Sequence, residues 1–351
     1  MSPSGGRPYH DAVTRPSTRP PGESRSTSPV PLLGFVTVLG SAALFGTLGP
    51  LSRLAYDLGV DPGAWVTWRA LIGFLTLGLF IAWRTRTRGR PAVRFRHLPR
   101  RARASLLVAG LMGFTLNISM FFAFDRITIA LALLCFYTYP AMVAIANVAL
   151  GRERLHGPRL VALLLSLVGM VAVVASQIDP AAGIRLDVLG ICLALAAALS
   201  QTVYVVISRD GFREVPTDQA IAAVMLVTVV GAAAVTVVAG SAAALIPPLG
   251  APGLLPLLLF TGIFAAAVPS LGFLAGIRSI GGLRAGILML FEPVVGVVLA
   301  AWLLGEGLAP IQVLGAIAIL AAAVILQRTG TSSAGVAERG DRAVVAVGGE
   351  P

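Results

Sequence analysis

The chain has 351 residues, of which 56% are hydrophobic and 12% are charged, and its mean hydropathy is +0.87. A soluble domain needs more polar surface than this composition supplies, so much of the chain must face lipid. The formal net charge of +11 comes from arginine alone. Because these arginines cluster in the tails and in alternate loops, they indicate membrane topology, and we expect no nucleic-acid partner.

The two ends of the chain differ in composition from the rest. Residues 1–31 are rich in Pro, Ser, Gly and Arg, a composition that cannot bury enough apolar surface to offset the entropy of ordering. They predict a disordered cytoplasmic N-terminal tail, and residues 328–351 predict a flexible cytoplasmic C-terminal tail. The apolar stretch after the N-terminal tail is long enough to span a membrane and lacks a cleavage site, so we do not expect a signal peptide.

Between the tails, the sequence predicts ten membrane-spanning helices. The hydrocarbon core of a bilayer requires about 20 mainly apolar residues per helix, and ten windows meet this requirement. They are residues 32–56, 63–83, 104–124, 127–150, 160–176, 188–208, 218–239, 253–277, 283–304 and 309–327.

The arginines give these helices an orientation. If the N-terminal tail is cytoplasmic, the dense run from Arg84 to Arg103 falls on the cytoplasmic side, as do most other loop arginines. The opposite side keeps Arg53, Arg126 and Arg185. Because positive charge accumulates on the cytoplasmic side, the sequence predicts a multi-pass protein of the cell membrane with both termini in the cytoplasm.

The two halves of the chain resemble each other. Aligning Pro140 with Pro293, an offset of 153 residues, places YTYPAM opposite LFEPVV without a gap. Further identities then align at Ala132 and Ala285, Glu153 and Glu306, and Leu155 and Leu308. Apolar helices can resemble each other by composition alone, but the matched Pro and Glu favour a duplication. We therefore predict an all-α integral membrane protein with two inverted five-helix repeats, residues 32–178 and 186–327, an architecture typical of transporters.

Four motifs carry a resemblance to a known family. They are FGTLGPLSR in the first window, TWRALIGF in the second, YTYPAM in the fourth and FEPVVGVVLAAWLLGE in the ninth, of which the last is the most specific. Over about residues 32–327 the chain resembles the EamA-type ten-helix permeases of the drug/metabolite transporter superfamily. The resemblance implies a transporter of amino acids or related polar metabolites.

Two charged residues lie deep within predicted helices. A charge near the membrane centre costs several kcal/mol, so it persists only with a partner, a wet cavity or a function. Arg69 could fix helix packing, or it could bind a carboxylate or phosphate group of a substrate. Glu292 could carry the proton that couples transport to a gradient, or it could be a neutral or paired acid that bonds to a neighbouring helix.

Other polar residues within the windows could form the wall of a cavity, although interhelical hydrogen bonds are the more usual role of such side chains. They are Asn117, Tyr137, Tyr139, Ser200, Gln201 and Tyr204. We predict substrate contacts for Asn117, Tyr137, Tyr139, Gln201 and Tyr204, together with Arg69 and Glu292. Pro140 and Pro293 each remove a helix hydrogen bond, and such breaks can line a binding site or act as hinges; of the two we favour hinges.

The sequence therefore predicts a secondary transporter that exports a small polar metabolite, such as an amino acid, by alternating access. Protons are a candidate coupling ion, a homodimer is a candidate assembly, and import of a small solute is the alternative. An enzyme or a channel would need a catalytic constellation or a filter-like loop, neither of which we find in the sequence. No cofactor or metal is expected, because all three histidines lie outside the apolar windows.

Overall fold

The computed structural model describes residues 32–89, 92–152, 157–176, 187–240, 242–246, 251–304, 309–326 and 328. The regular secondary structure of these residues is helical throughout, and they include no strand. Both predicted tails, and the matched pair Glu153 and Glu306, lie outside the described residues, as does Arg185.

Helices occupy all ten predicted windows, and their ends lie within a few residues of the predicted ones. In chain order they are α1 (Leu32–Phe45), α2 (Leu48–Asp57), α3 (Pro62–Arg88), α4 (Arg100–Arg126), α5 (Ile129–Phe136), α6 (Tyr139–Ala149), α7 (Gly157–Ala175), α8 (Val188–Ser208), α9 (Thr217–Ala239), α10 (Leu254–Gly262), α11 (Val268–Ile280), α12 (Gly282–Met289), α13 (Glu292–Leu304) and α14 (Pro310–Leu326).

Most of these helices are suited to a bilayer. Within the described residues, eight helical segments are long and apolar enough to cross a membrane, and α14 is a shorter apolar helix. The segment formed by α12 and α13 fills the ninth predicted window. Many large apolar side chains point outwards, among them Leu79, Val168 and Val238, as expected where the outer surface faces lipid. The prediction of an all-α membrane protein is confirmed.

The helix boundaries repeat along the chain. The pair α12 and α13 begins and breaks at positions equivalent to α5 and α6, shifted by the same 153 residues that separate Pro140 from Pro293. The starts of α7 and α14, at Gly157 and Pro310, have this spacing too. Five crossings of the bilayer in each repeat, as the sequence predicts, would make the second repeat run through the membrane in the opposite sense to the first.

Helix pairs between the repeats follow the same symmetry. Helix α4 of the first repeat packs along α8 of the second, and the equivalent pair is α11 of the second repeat against α1 of the first, while α3 and α9 pack across the centre. Small residues allow these backbones to approach: Gly276 of α11 packs against Val38, and Gly34 of α1 packs against Ser279. Since lipid provides no hydrophobic force between helices, such close packing is what holds the bundle together.

Aspartates begin two of the spanning segments. Asp61 caps α3 by accepting from the backbone N–H groups of Gly63 and Ala64, and Asp187 caps α8 in the same way. Arg126, at the end of α4, bonds to Asp187 at 2.9 Å and holds the pKa of that carboxyl below its usual value. The contact between α4 and α8 therefore gains stability that is present at neutral pH and is lost as the pH falls through the lowered pKa.

Candidate functional site

A cavity of about 550 Å³ lies between the two repeats. All seven residues predicted to contact substrate line it: Arg69, Asn117, Tyr137, Tyr139, Gln201, Tyr204 and Glu292. The structure thus brings together residues from α3, α4, α6, α8 and α13, and from the break between α5 and α6. Ser200, the remaining polar candidate, is buried and is not among the lining residues.

The cavity opens at one end of the bundle. Three residues at the end of α2, namely Arg53, Leu54 and Asp57, line it and are exposed. The other two charged lining residues are Arg69 and Glu292. Arg69 is the eighth residue of α3, which places it roughly 10 Å along the helix axis from the start of α3. The volume and the mainly apolar lining are those of a small-molecule site.

Arg69 is held in place by one amide and one ring. Its side chain is 3% exposed, and its Nη2 donates to the Asn117 Oδ1 at 2.5 Å. The guanidinium lies over the ring of Phe121, with 4.4 Å between its carbon and the ring centre. Its Nε–H has no hydrogen-bond partner, and no carboxylate of the described residues forms an ion pair with it. Arg69 is therefore a buried cation at the cavity without a counter-charge.

Glu292 lies on the second repeat, at the first position of α13. It is partly exposed and lines the cavity, close enough to Tyr137 and Tyr139 to interact with their hydroxyl groups. The Tyr139 hydroxyl donates to the Gly286 carbonyl at 3.4 Å, whereas the Tyr137 hydroxyl is buried without a hydrogen bond of ordinary geometry. Glu292 is thus a carboxyl group at the cavity with two tyrosine hydroxyls nearby.

The two prolines predicted as hinges lie directly after helix breaks. Pro140 is the second residue of α6, after the break between α5 and α6, and Pro293 is the second residue of α13, after the matching break. At these positions a proline begins a helix without the loss of an intrahelical hydrogen bond. Pro293 lines the cavity, whereas Pro140 is buried outside it. The prediction that each proline removes a helix hydrogen bond is therefore wrong. The helices are interrupted just before the prolines, between α5 and α6 and between α12 and α13.

A third helix break, between α1 and α2, also lines the cavity. Helices α1 and α2 are separated by Gly46 and Thr47, and Gly46 packs against the backbone at the start of α13. A Cβ atom at Gly46 would lie 2.6 Å from the Glu292 carbonyl oxygen and 3.1 Å from the Val295 Cβ. Only glycine allows this approach, so α1 and α13 are in backbone contact beside Glu292.

Several lining residues were not predicted from the sequence. Phe121 is the ring beneath Arg69, Ser270 lies at the position equivalent to Asn117 after the shift of 153 residues, and Thr228 lies on α9. The repeat alignment could have found Ser270. Between α10 and α11, residues Ile263–Ala267 form one π-helical turn, whose Ala266 also lines the cavity. Such turns occur often at functional sites.

At the opposite end of the bundle, two arginines bond to neighbouring segments. Since α3 starts next to the end of α2, its last turns lie far from the cavity opening, and there Arg84 bonds to Asp218 at 3.0 Å. Nearby, Arg278 at the end of α11 donates to the carbonyls of Phe212 and Val215, at 3.1 and 2.9 Å, and to the Thr217 hydroxyl. These bonds attach the segment before α9 to α3 and α11.

We expect the stability of the fold to depend on the Arg84–Asp218 pair at this end of the bundle. The Asp218 side chain is 6% exposed, so Arg84→Leu leaves a buried carboxylate unpaired and should destabilise the fold by roughly 2 to 4 kcal/mol. The double variant Arg84→Leu/Asp218→Leu should recover part of this loss, because it removes both charges. Thermal unfolding of the purified protein in detergent measures both effects, and a double variant less stable than either single variant would contradict the pairing.

Metal binding finds no support in the described residues, which hold no group of three or more His, Cys, Asp or Glu side chains that could bind a metal ion. The cavity instead offers two cations, Arg53 and Arg69, two carboxyl groups, Asp57 and Glu292, and several hydroxyl and amide groups on a mainly apolar wall. These groups are suited to a small polar or charged molecule.

Comparisons with known proteins agree with this arrangement. The model of the EamA-like transporter family matches residues 32–175 and 188–328. A protein of Clostridium kluyveri named "Uncharacterized transporter" is 26% identical over 223 residues, which is 63% of this chain and 70% of that protein. One crystal structure matches with a TM-score of 0.67 and 22% identity over 87% of this chain and 99% of the other, a likeness of fold alone. Since the family model matches both repeats, the chain belongs to the EamA-like transporter family and is a multi-pass membrane transporter.

Proposed function

We propose that the protein is a secondary transporter that exports a small polar metabolite, such as an amino acid, by alternating access, and that it has no enzymatic activity. The observation that carries this proposal is the cavity of about 550 Å³ between the repeats, which reaches exposed residues at the end of α2. A cavity of this size accommodates a metabolite. Its polar and charged residues come from both repeats, so a relative movement of the repeats would change every contact with the bound molecule.

The two ends of the cavity support alternating access. At the end of α2 the cavity reaches exposed residues, whereas Arg84, Asp218 and Arg278 form their bonds near the opposite end of the bundle and do not line the cavity. Inverted repeats have two nearly equivalent tilts, and exchange between them would open the far end and close the near one. The helix breaks beside Pro140 and Pro293 are our candidate hinges, and Gly46 packs against the start of α13 beside the second of them.

Glu292 is our candidate for proton coupling. Among the described residues, two carboxyl groups line the cavity, and Glu292 is the one that is not at the exposed opening, where Asp57 lies. The cations of the same lining are Arg53 and Arg69. Protonation of Glu292 would alter the charge of the cavity while substrate is bound or released. A proton taken up on one side and released on the other would then drive export.

We further propose a location in the cell membrane with the N- and C-termini in the cytoplasm, which makes the present cavity outward-facing. The segments from Arg84 to Arg103 and from Arg209 to Arg213 then lie on the cytoplasmic side, as the distribution of positive charge favours. A homodimer is a candidate assembly, and no cofactor or nucleic acid is required. Import of a small solute remains the alternative direction of transport.

Counterflow in proteoliposomes tests the carrier mechanism. Vesicles loaded with a metabolite extract are diluted into trace amounts of labelled amino acids, and a carrier will accumulate its labelled substrate transiently by exchange. A channel cannot do this, so equilibration without overshoot would contradict the proposal. Reporter fusions at both ends test the topology separately: opposite locations of the two termini would exclude five crossings in each repeat.

A further inference from the structure

We propose that Arg69 is the binding residue for a substrate carboxylate, and that the transported molecule pairs its carboxylate with this guanidinium while its apolar body lies along the aromatic wall of the cavity. This inference rests on the proposed transport function, because it assigns the chemical class of molecule that the cavity takes.

The first observation is the missing counter-charge of Arg69. Its side chain is 97% buried, it lines the cavity, and no described carboxylate pairs with it. A buried cation costs several kcal/mol unless it is paired. Asn117 and Phe121 supply a dipole and a ring, which stabilise the cation but do not neutralise it. A substrate anion would provide the charge that the described part of the protein does not.

The second observation is the orientation of the guanidinium. The Asn117 amide is fixed at both ends, because its Nδ2 donates to the Gly113 carbonyl at 2.8 Å while its Oδ1 accepts from Arg69. The ring of Phe121 covers one face of the guanidinium. This support leaves the Nε–H unbonded. An arginine edge with a free Nε–H suits the two oxygens of a carboxylate, which bind side by side.

The third observation is the charge and chemistry of the rest of the cavity. Arg53 is the other cation of the lining, and it is exposed at the opening. One buried arginine balances a single negative charge, whereas a phosphate dianion would need a second cation beside it. Five phenylalanines line the same cavity and provide an apolar surface for the body of the molecule. They are Phe45, Phe121, Phe124, Phe136 and Phe273.

Asn117→Asp is the decisive variant, because it places a carboxylate on Arg69 with almost no change in shape. If Arg69 is unpaired until an anion binds, the new carboxylate should raise the melting temperature of the substrate-free protein and abolish the binding of carboxylate substrates. Asn147→Asp is the matched control: Asn147 is also buried, on α6, but it does not line the cavity. The control measures the general cost of burying a carboxylate, and its melting temperature should fall.

Binding is measured as thermal stabilisation of the full chain in detergent. The probes are the twenty common amino acids, their amides, the matching carboxylic acids without the amino group, and inorganic phosphate. We expect stabilisation by one or more carboxylates, with binding of the corresponding amide weaker by roughly ten- to a hundredfold. Comparison of each amino acid with its carboxylic acid shows whether a substrate amino group is also recognised.

The outcomes separate this inference from the transport function. Stabilisation only by amides or phosphate, no stabilisation by any carboxylate, or unchanged carboxylate binding by Asn117→Asp would each overturn the role of Arg69. Continued counterflow of uncharged substrates in those cases would leave the transport function intact. Absence of counterflow with every compound would instead contradict the proposed function itself.

Discussion

Replacement of Glu292 by Gln should abolish proton-driven accumulation of substrate while exchange continues. A gradient of one pH unit provides about 1.4 kcal/mol for each proton, enough for about tenfold accumulation by an exchanger of one proton for one substrate. In proteoliposomes with an acidic interior, the unmodified protein should reach this level. Glu292→Gln cannot release a proton, so its substrate should only equilibrate, although counterflow without a gradient should still occur.

Two variants control for this result. Asp57→Asn removes the other carboxyl group of the cavity, which is exposed at the opening, and it should leave accumulation unchanged. Glu292→Asp keeps an ionisable group and should retain part of the coupling. Full accumulation by Glu292→Gln would remove this residue from the coupling step, and accumulation only in vesicles with an alkaline interior would favour import with protons.

Gly46→Ala should lower both the melting temperature and the rate of transport. The added methyl group would lie 2.6 Å from the Glu292 carbonyl oxygen, and the backbone of α13 cannot move away as a flexible side chain could. Overpacking of this kind typically costs about 1 to 3 kcal/mol. The displaced segment carries Glu292 and Pro293, so counterflow should slow by more than the loss of stability explains.

Gly40→Ala is the matched control for this variant. Gly40 lies on the same helix α1, and no atom lies within 4 Å of the position that its Cβ would take. Alanine there should be neutral or stabilising, since alanine favours a helix over glycine. Thermal unfolding in detergent and counterflow are measured for both variants. Equal results for the two would contradict a tight contact between α1 and α13.

The sequence could predict the positions and ends of the apolar segments because a bilayer imposes a length on each of them. It also predicted seven of the residues that line the cavity, although not Phe121, Ser270 or Thr228. Arg69, Asn117 and Glu292 stand out because polar groups in a membrane are expensive and are retained for a reason. Their function as substrate or proton sites stays a prediction, since their position around one cavity does not test it.

Other features could not be predicted because they depend on contacts between distant segments. A uniformly apolar helix carries no periodic signal, so the break at Gly46 and Thr47 and the π-helical turn at Ile263–Ala267 left no recognisable pattern. The sequence indicated Arg278 only as a positive charge near a helix end. Its bonds to Phe212 and Val215 depend on how α11 packs beside the segment before α9, which composition does not specify.

The shared helix register of the two repeats has one further consequence. At equivalent positions, Arg69 corresponds to Ala222, and Tyr139 corresponds to Glu292. A perfectly duplicated pair of halves would make the inward-open and outward-open forms equal in energy, and the resting molecule would divide evenly between them. Since Arg69 and Glu292 each exist in one half alone, the two forms surround them differently, and the empty protein should favour one of the two.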